Sequence, residues 1–560
     1  MTVDILPRAE RIIYWIAGIG SIANALYHLR LESENFQRTP FSENTLTPGW
    51  AFLGRKQDLS DVEWGRWRTL TWQLLFFNVL RIIICQSCRA FGFKEQTCKF
   101  FILLFDASIL NWIMGLRCVL LLLVEAALIY AVSYSNSIWA IWIAILSMTY
   151  SLNSHSFMVK KAGYLGLYKR QSDIFYYFTT AEAFVHIGLV SFAIEKIKFK
   201  SVHKLSKKTN TSVNKQENDI VQSASQIDMP RKVVKRKRDD SGDVQNDICQ
   251  RIQRPSDLSS DPSFIDLLYY ILCLPKFFDG PIFTYSDFHE QEKAFYERSS
   301  PSIPFKDIFK GLFRIAFWAL FIEFQCHFFY HSAIGSEAEF VRSMTLTGII
   351  ALGYYQGQLF MVKYLCMYGL SCELLRFEGI VPQSSPRCIS WVFSYTDMWK
   401  YFDVGLYQFI KRYIFIPLGG SHSGFLRQAF ASGLVFAFIY FWHGASTALL
   451  IWCLGNYAVG LVESLGIKIE KSRMGVYLAS FLSSAMQLRI RCLVTALLYL
   501  VSCLQIFYFF FEEEIGGIMA DRMLFRIPWK QFILEWLGFY VCIQNAMWIY
   551  RCHKYLGKQS

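Results

Sequence analysis

The chain is poor in charged residues. Asp, Glu, Lys and Arg make up 18% of its 560 residues, whereas soluble domains carry about 25%. Hydrophobic residues make up 53% and aromatic residues 17%. This shortage of charge argues against an ordinary soluble domain and favours a protein embedded in a bilayer.

A cleavable signal peptide and a disulfide framework are both lacking in the sequence pattern. The first apolar segment begins after Arg8 and Arg11 and shows no small-residue cleavage site. Residues 12–29 are therefore predicted to form an uncleaved first span. The 15 cysteines are scattered and many lie in apolar segments, which is typical of small buried hydrophobic residues.

The stretches of sequence without charged residues form long apolar segments. About 20 apolar residues cross the hydrocarbon core of a bilayer, and the chain offers roughly ten such segments by this criterion. The candidates are residues 12–29, 70–86, 118–134, 138–152, 175–194, 311–329, 344–367, 433–454, 492–511 and 532–550, with 101–112 too short to assign. The sequence predicts an all-α polytopic membrane protein.

Residues 195–262 lack aromatic residues, with Phe199 the single exception. They hold 15 Lys or Arg and 10 Asp or Glu. A segment with this many charges has too little apolar surface to offset the entropy lost on ordering. A disordered basic insert is predicted here, between an N-terminal membrane half (1–194) and a C-terminal half (263–560). The basic run 231–238 resembles a nucleic-acid patch, but near a membrane it indicates a solvated loop beside anionic headgroups. No nucleic-acid partner is expected.

Histidine is scarce, with ten in the whole chain. Glu323, His327 and His331 follow one another at i, i+4 spacing, which suits a metal site on one helix face. A di-iron oxygenase of membranes needs more histidine clusters than this, and no His-Glu-x-x-His pattern occurs. The favoured interpretation is a polar helix end near the membrane interface, with a metal site as the alternative.

Asp403 lies on the apolar face of a helix predicted over residues 399–416 at about 100° per residue. Burying a carboxylate costs several kcal/mol unless it is paired or protonated. Asp403 is therefore predicted either to form a structural salt bridge or to carry function. The same apolar stripe contains Trp399, Phe402, Leu406, Phe409, Ile410 and Tyr413, whereas Lys400, Gln408, Lys411 and Arg412 lie elsewhere on the circumference.

His443 lies in residues 433–454, a run otherwise without ionisable groups. Within a membrane span, such a residue indicates function by default. An imidazole in apolar surroundings stays neutral, as a general base requires. The small residues Gly444, Ala445 and Ser446 allow another helix or a substrate to approach closely.

Two motifs around these residues resemble a known family. Phe441-Trp442-His443-Gly444, preceded by Trp399-Lys400-Tyr401-Phe402-Asp403, resembles the membrane-bound O-acyltransferase (MBOAT) superfamily. Within it, the similarity is greatest to the branch of the Hedgehog acyltransferases. That narrower resemblance rests on residues 278–282, 386–388 and 398–406 running into 412–414. It is close from about residue 264 to 463 and faint before it.

The resemblance implies an MBOAT-type helical bundle with re-entrant segments and a central tunnel, in the membrane of the endoplasmic reticulum or Golgi. It implies transfer of palmitate from palmitoyl-CoA to the N-terminal cysteine amine of a secreted signalling protein. His443 would be the general base, or the group that polarises the thioester carbonyl. Asp403 would orient the amine or take its proton.

The resemblance also implies further site residues. Trp399, Lys400 and Trp442 would contact the acyl-CoA, with Lys400 near its phosphates, and Cys388 would ligate the iron of a haem b. The alternatives are an O-acyltransferase of the same superfamily acting on a lipid or a serine hydroxyl, and a non-catalytic membrane scaffold. A transporter is disfavoured, because the two halves show no matching pair of broken helices.

Overall fold

Helices make up most of the chain, as the hydropathy pattern predicts. The structure, a computed structural model, describes residues 5–167, 173–221, 261–278, 280–297, 303–381, 383, 385–421 and 424–556. The α-helices are α1 (Arg8–Gln37), α2 (Phe41–Thr45), α3 (Val62–Ala90), α4 (Glu95–Met114), α5 (Leu116–Val132), α6 (Ile138–Asn153), α7 (His155–Leu165), α8 (Asp173–Val221), α9 (Phe264–Ile271), α10 (Leu274–Phe277), α11 (Tyr285–Tyr296), α12 (Phe305–Gln325), α13 (His331–Ile334), α14 (Ala338–Ser343), α15 (Leu346–Arg376), α16 (Tyr395–Phe402), α17 (Val404–Ile410), α18 (Phe425–His443), α19 (Thr447–Glu470), α20 (Arg473–Ser480), α21 (Ser484–Phe510), α22 (Glu513–Leu524) and α23 (Trp529–Leu556).

Irregular helices and one small hairpin complete the fold. Strands β1 (Leu46–Pro48) and β2 (Lys56–Asp58) pair antiparallel, with Leu46 opposite Asp58. Three-residue 3₁₀ helices form at Ala51–Leu53, Ser133–Ser135 and Ile389–Trp391, and a π-helical turn forms at Lys411–Phe415.

Nine helices of the described residues are long and apolar enough to cross a membrane. They are Arg8–Gln37, Val62–Ala90, Glu95–Met114, Leu116–Ser135, Asp173–His203, Phe425–His443, Thr447–Glu470, Ser484–Phe510 and Trp529–Lys554. The prediction of an all-α polytopic membrane protein is confirmed. Segment 101–112, too short to assign from sequence, lies within one of the nine. The predicted spans 138–152, 311–329 and 344–367 form helices α6, α12 and α15, which are not among them.

The predicted span 433–454 is wrong in one respect, because it is two helices and not one. Helix α18 ends at His443, and α19 begins at Thr447. Gly444 has φ = 117° and Ala445 has φ = 51°, left-handed conformations that end a helix. The Ser446 side chain then accepts from Leu449 N–H as the N-cap of α19. His443 thus lies at a helix end beside a break.

The predicted helix over residues 399–416 is also interrupted. Asp403 has extended backbone angles (φ = −116°, ψ = 92°) and separates α16 from α17. The apolar stripe continues across the break, because Leu406, Phe409, Ile410 and Tyr413 are all buried. Asp403 is therefore an N-cap residue and not a member of a helix interior.

Helix α8 runs for 49 residues to Val221, so the predicted start of the insert at residue 195 falls inside it. Two charges at that point are buried in ion pairs. Glu195 Oε1 lies 2.9 Å from Arg412 Nε, and Lys196 Nζ lies 2.7 Å from Asp261 Oδ1. Composition predicted that Glu195 and Lys196 lie in a solvated loop, whereas these ion pairs hold both side chains inside the protein. Residues 222–260, with the basic run 231–238, lie outside the described residues.

The segment after α10 supports the start of α17. Residues 280–283 are buried without forming a helix, and Tyr270 OH donates to Phe283 O at 2.5 Å. Gly405 lies so close to this segment that a Cβ there would be 2.1 Å from Ile282 O. The two motifs of the sequence, 278–282 and 398–406, therefore meet through a glycine that no larger residue can replace without moving the backbone. Asp279 lies outside the described residues.

Candidate active site

A cavity of about 1530 Å³ lies between helices from both halves of the chain. Its wall combines α1, α8, α15, α18, α19, α21 and α23 with the segment from Ile389 to Ile416. Asp403, His443, Trp399 and Trp442 all belong to this wall. The fold therefore brings the two ionisable groups, 40 residues apart in sequence, to one cavity.

His443 is the last residue of α18 and is half-buried. Its ring centroid lies 4.7 Å from that of Trp442 and 5.7 Å from those of Trp452 and Phe509. Among the described residues, no side chain or backbone group forms a hydrogen bond with either ring nitrogen. The imidazole is thus held by aromatic contacts, with its nitrogens available to a molecule in the cavity.

Three hydrogen bonds hold the helix end that carries His443. Trp442 Nε1–H donates to Ala183 O at 3.0 Å, which ties α18 to α8. Asn153 Nδ2 donates to Phe441 O at 2.7 Å. Tyr440 OH donates to Ala445 O at 2.9 Å across the break. Because the last carbonyls of a helix lack partners within it, these bonds fix the position of the imidazole.

Asp403 is held by hydrogen bonds and not by a salt bridge. Its Oδ1 accepts from Leu406 N–H at 2.8 Å, and its Oδ2 accepts from Tyr368 OH at 3.1 Å. Among the described residues, no Lys or Arg forms an ion pair with it, so the structural salt bridge allowed by the sequence is not found. Burial raises the pKa of the Asp403 carboxyl above its ordinary value, while the bonds from Leu406 and Tyr368 oppose that rise.

Two of the residues assigned by resemblance lie outside the cavity wall. Lys400 Nζ lies 4.8 Å from the centre of the Tyr401 ring and is not among the lining residues. Cys388 is half-buried at the N-cap of the turn Ile389–Trp391; that turn lines the cavity, but Cys388 itself does not. Lys411, the first residue of the π-helical turn after α17, lies in the cavity wall, so its ammonium group places a positive charge there.

The helix-face metal site at Glu323, His327 and His331 is not formed. The side chain of Glu323 accepts from Trp64 Nε1–H and pairs with Arg68. His327 Nε2 accepts from a backbone N–H at 2.9 Å, and His331 Nδ1 contacts Gln356 Oε1 at 2.8 Å. Helix α12 ends at Gln325, so the three side chains separate and serve as structural contacts.

Sequence reasoning missed Tyr368 and Asn153 as site residues, and it placed Lys411 among the basic residues outside the apolar stripe without assigning it to the site. Tyr368 and Asn153 act through contacts with residues 35 and 288 positions away, and no local pattern indicates such pairs. The break after His443 did have a signal. Glycine just past a helix end followed by serine before the next apolar run is a typical stop and start.

Comparison with known proteins finds several relatives of this chain. Two relatives named protein-cysteine N-palmitoyltransferase are similar to parts of the chain. HHAT of Mus musculus is 34% identical over 298 residues, which are 52% of this chain and 58% of HHAT. Rasp of Drosophila melanogaster is 32% identical over 196 residues, 35% of this chain and 38% of Rasp. The chain thus spans 58% and 38% of the lengths of these two relatives.

A third relative carries a different name. Membrane-bound O-acyltransferase GUP1 of Candida tropicalis is 25% identical over 432 residues, 75% of this chain and 67% of GUP1. The profile of the family MBOAT, membrane-bound O-acyltransferase family, matches residues 128–469, which is more than half of the 560 residues. The match covers both the Asp403 and the His443 motifs. The chain therefore belongs to the membrane-bound O-acyltransferase family.

Proposed function

We propose that this protein transfers a palmitoyl group from palmitoyl-CoA to the N-terminal cysteine amine of a secreted signalling protein. The observation that carries the proposal is the shared cavity, with Asp403 and His443 both in its wall. Similarity to two relatives named protein-cysteine N-palmitoyltransferase supports the choice of acceptor. An acceptor of this kind passes through the secretory pathway, so we propose the endoplasmic reticulum or Golgi membrane as the location.

The proposed reaction exchanges a thioester for an amide. The neutral amine attacks the thioester carbonyl, the C–N bond forms, and the C–S bond breaks to release CoA as a thiol. A free α-amino group has a pKa of about 8, so little free energy is needed to supply its neutral form. Attack leaves a positive charge on the nitrogen. His443 takes one proton from this nitrogen and passes it to the leaving sulfur. Asp403 accepts a hydrogen bond from the amine and orients it.

The dimensions and composition of the cavity suit a long acyl chain. Its volume of about 1530 Å³ exceeds the roughly 300–1,000 Å³ typical of small-molecule pockets. Aromatic side chains such as Trp399, Phe436 and Phe509 line it. Each methylene group removed from water contributes about 0.8 kcal/mol, so a long chain binds far more tightly than a short one.

Lys411 is the proposed contact for the phosphates of CoA. It lies in the cavity wall, whereas Lys400 lies outside it. An ammonium group binds phosphate as a point charge. We therefore assign to Lys411 the phosphate role that the resemblance suggested for Lys400.

The acceptor chemistry is tested with purified enzyme, labelled palmitoyl-CoA and short peptides bearing a free N-terminal cysteine. We expect stable labelling of the free peptide and at least a hundredfold less labelling of its N-acetylated form, because acetylation removes the nucleophile. Treatment with neutral hydroxylamine distinguishes the linkage, since an amide survives it and a thioester does not. Labelling that persists after acetylation would overturn the amine assignment.

Transfer to a hydroxyl group is the second candidate, favoured by similarity to GUP1 over 75% of the chain. It uses the same base and the same acyl donor. The same assay with a lipid alcohol or a serine peptide in place of the cysteine peptide decides between them. Faster labelling of a hydroxyl acceptor than of the free cysteine peptide would favour this candidate.

Cys388 fits the role of a haem ligand by its position. Among the half-buried cysteines of the described residues, Cys388 lies outside the long helices, at the start of a short turn. Its sulfur is half-buried, and the exposed guanidinium of Arg387, 3.5 Å above the Tyr401 ring, could pair with a propionate. A bound haem b would supply an iron whose electronic state is set by the thiolate. We propose that Cys388 would hold this iron.

Absorbance spectroscopy tests this assignment without an activity assay. We expect the purified protein to show a Soret band that Cys388→Ala removes, because the variant lacks the sulfur that would hold the iron. Cys372→Ala is the matched control, since Cys372 is also half-buried but lies within helix α15. A Soret band of equal position and intensity in Cys388→Ala would end the proposal.

A further inference from the structure

A cluster of three buried metal-binding side chains lies away from the cavity, between α5 and α8. Glu125 comes from α5, and Glu182 and His186 come from successive turns of α8. One ligand atom from each lies within 4.8 Å of the others. Their exposed fractions are 6%, 0% and 1%, so water does not stabilise them.

Each of the three side chains has a buried atom without a hydrogen-bond partner. These atoms are Glu125 Oε2, Glu182 Oε2 and His186 Nε2. A buried carboxylate or imidazole left unpaired is costly, and one ion shared by the three neighbouring side chains would supply a partner to each of them. The opposite ring nitrogen of His186 contacts Thr149 Oγ1 at 3.2 Å, which orients Nε2 as a metal-bound histidine is commonly oriented.

The Glu125 and Glu182 carboxyl groups are close enough to share a proton, and the distances from them to His186 suit an ion. Glu125 Oε2 and His186 Nε2 are 3.4 Å apart, which is longer than the 2.7–2.9 Å of a charge-assisted hydrogen bond. Two ligands about 2.1 Å from a tetrahedral ion lie about 3.4 Å from each other. Glu182 Oε1 is 3.9 Å from the same nitrogen.

Lys161 is the charge that competes with a metal at this place. Its Nζ lies 2.5 Å from Glu182 Oε1 and 3.0 Å from Ser151 Oγ. It neutralises one carboxylate, and the second carboxylate has no Lys or Arg partner among the described residues. A divalent ion balances both carboxylates, and the partly exposed Lys161 side chain (12%) can then turn towards Ser151 and solvent.

We infer that Glu125, Glu182 and His186 form a buried site for a divalent transition metal of the zinc class. One imidazole and two carboxylates suit Zn²⁺, whereas Ca²⁺ and Mg²⁺ prefer oxygen ligands alone. The bound ion links α5 to α8. Ala183, which accepts the Trp442 indole bond, lies between the two ligands of α8, so the ion stabilises the helix on which the end of α18 rests. Its role is structural, and the inference does not depend on the proposed reaction.

Metal analysis of the full-length protein, purified in detergent without metal-affinity steps, tests the site. We expect close to one equivalent of zinc per chain, counted separately from iron, falling at least tenfold in Glu182→Gln and in His186→Gln. His289→Gln is the matched control, because His289 is buried 3.6 Å from Glu292 without a third ligand and should leave the metal content unchanged. Equal metal in wild type and both site variants would identify it as adventitious and overturn the site.

A second measurement covers variants that fail to fold. After treatment with a chelator, the wild-type protein is titrated with Co²⁺, and we expect intense visible d–d bands at one equivalent together with a higher melting temperature. Lys161→Met should bind metal at least as tightly as wild type, because it removes the competing cation. If the cluster is an ion-pair network alone, Lys161→Met melts at a lower temperature, no cobalt bands appear, and the inference fails.

Discussion

Replacing His443 with alanine is expected to lower the rate of acyl transfer by at least a hundredfold while the protein stays folded. Positioned acid–base catalysis contributes about 10²–10⁴-fold, and His443 is the imidazole in the cavity wall. The ring is half-buried in the cavity wall beside three aromatic neighbours, so its removal enlarges an existing cavity and does not open one in the packed core. Single-turnover rates with labelled palmitoyl-CoA, measured beside the melting temperature in detergent, check both parts.

Two further variants make the His443 result specific. His203→Ala is the matched control, because His203 is an exposed histidine of α8 and its loss should change neither quantity. Trp442→Phe removes the indole bond to Ala183 but keeps an aromatic ring, and it should lower the rate less than His443→Ala. A His443→Ala rate within twofold of wild type would remove this residue from the mechanism.

Asp403→Asn is expected to lower the rate at least tenfold with little change in stability. Asparagine caps a helix as well as aspartate does, so the bond from Leu406 N–H is preserved while the negative charge is lost. Asp403→Ala, in contrast, loses the cap and should also destabilise the protein by about 0.5–2 kcal/mol. The pair of variants therefore separates a catalytic role from a capping role.

The outcome for Asp403→Asn is decisive in both directions. Activity near that of wild type would mean that Asp403 serves only as the N-cap of α17. Asp397→Asn is the matched control, since Asp397 lies in the preceding helix α16 and outside the cavity wall; it should retain full activity.

Tyr368 gives the Asp403 assignment a pH-dependent signature. Its hydroxyl bonds to the charged carboxylate at 3.1 Å and opposes the rise of the Asp403 pKa that burial causes. In Tyr368→Phe that pKa should rise further, so the acidic limb of the rate profile moves to higher pH. A residue with only a packing role would change the rate without moving the limb.

Much of the site was visible in the sequence because each signal was local. Asp403 and His443 stand out as ionisable residues among apolar ones, and the stripe from Leu406 to Tyr413 follows from helical spacing. The places where local reasoning failed are helix breaks. The periodic pattern continues across Asp403 and across Gly444, while the backbone at each point leaves the helix.

The sequence by itself determined the class of the protein. The shortage of charge and the long apolar runs specify a helical membrane bundle, because apolar side chains and satisfied backbone groups are what a bilayer accepts. The motifs around Asp403 and His443 specified the family.

Tertiary structure alone decided which residues meet. It placed Tyr368 on Asp403 and Asn153 beside the end of α18, and it put Lys411 and not Lys400 in the cavity wall. It also joined Glu125 to Glu182 and His186, residues on helices that sequence spacing does not relate. Helix packing brings such groups together over tens or hundreds of residues, and hydropathy and spacing along one helix carry no information about the face of another.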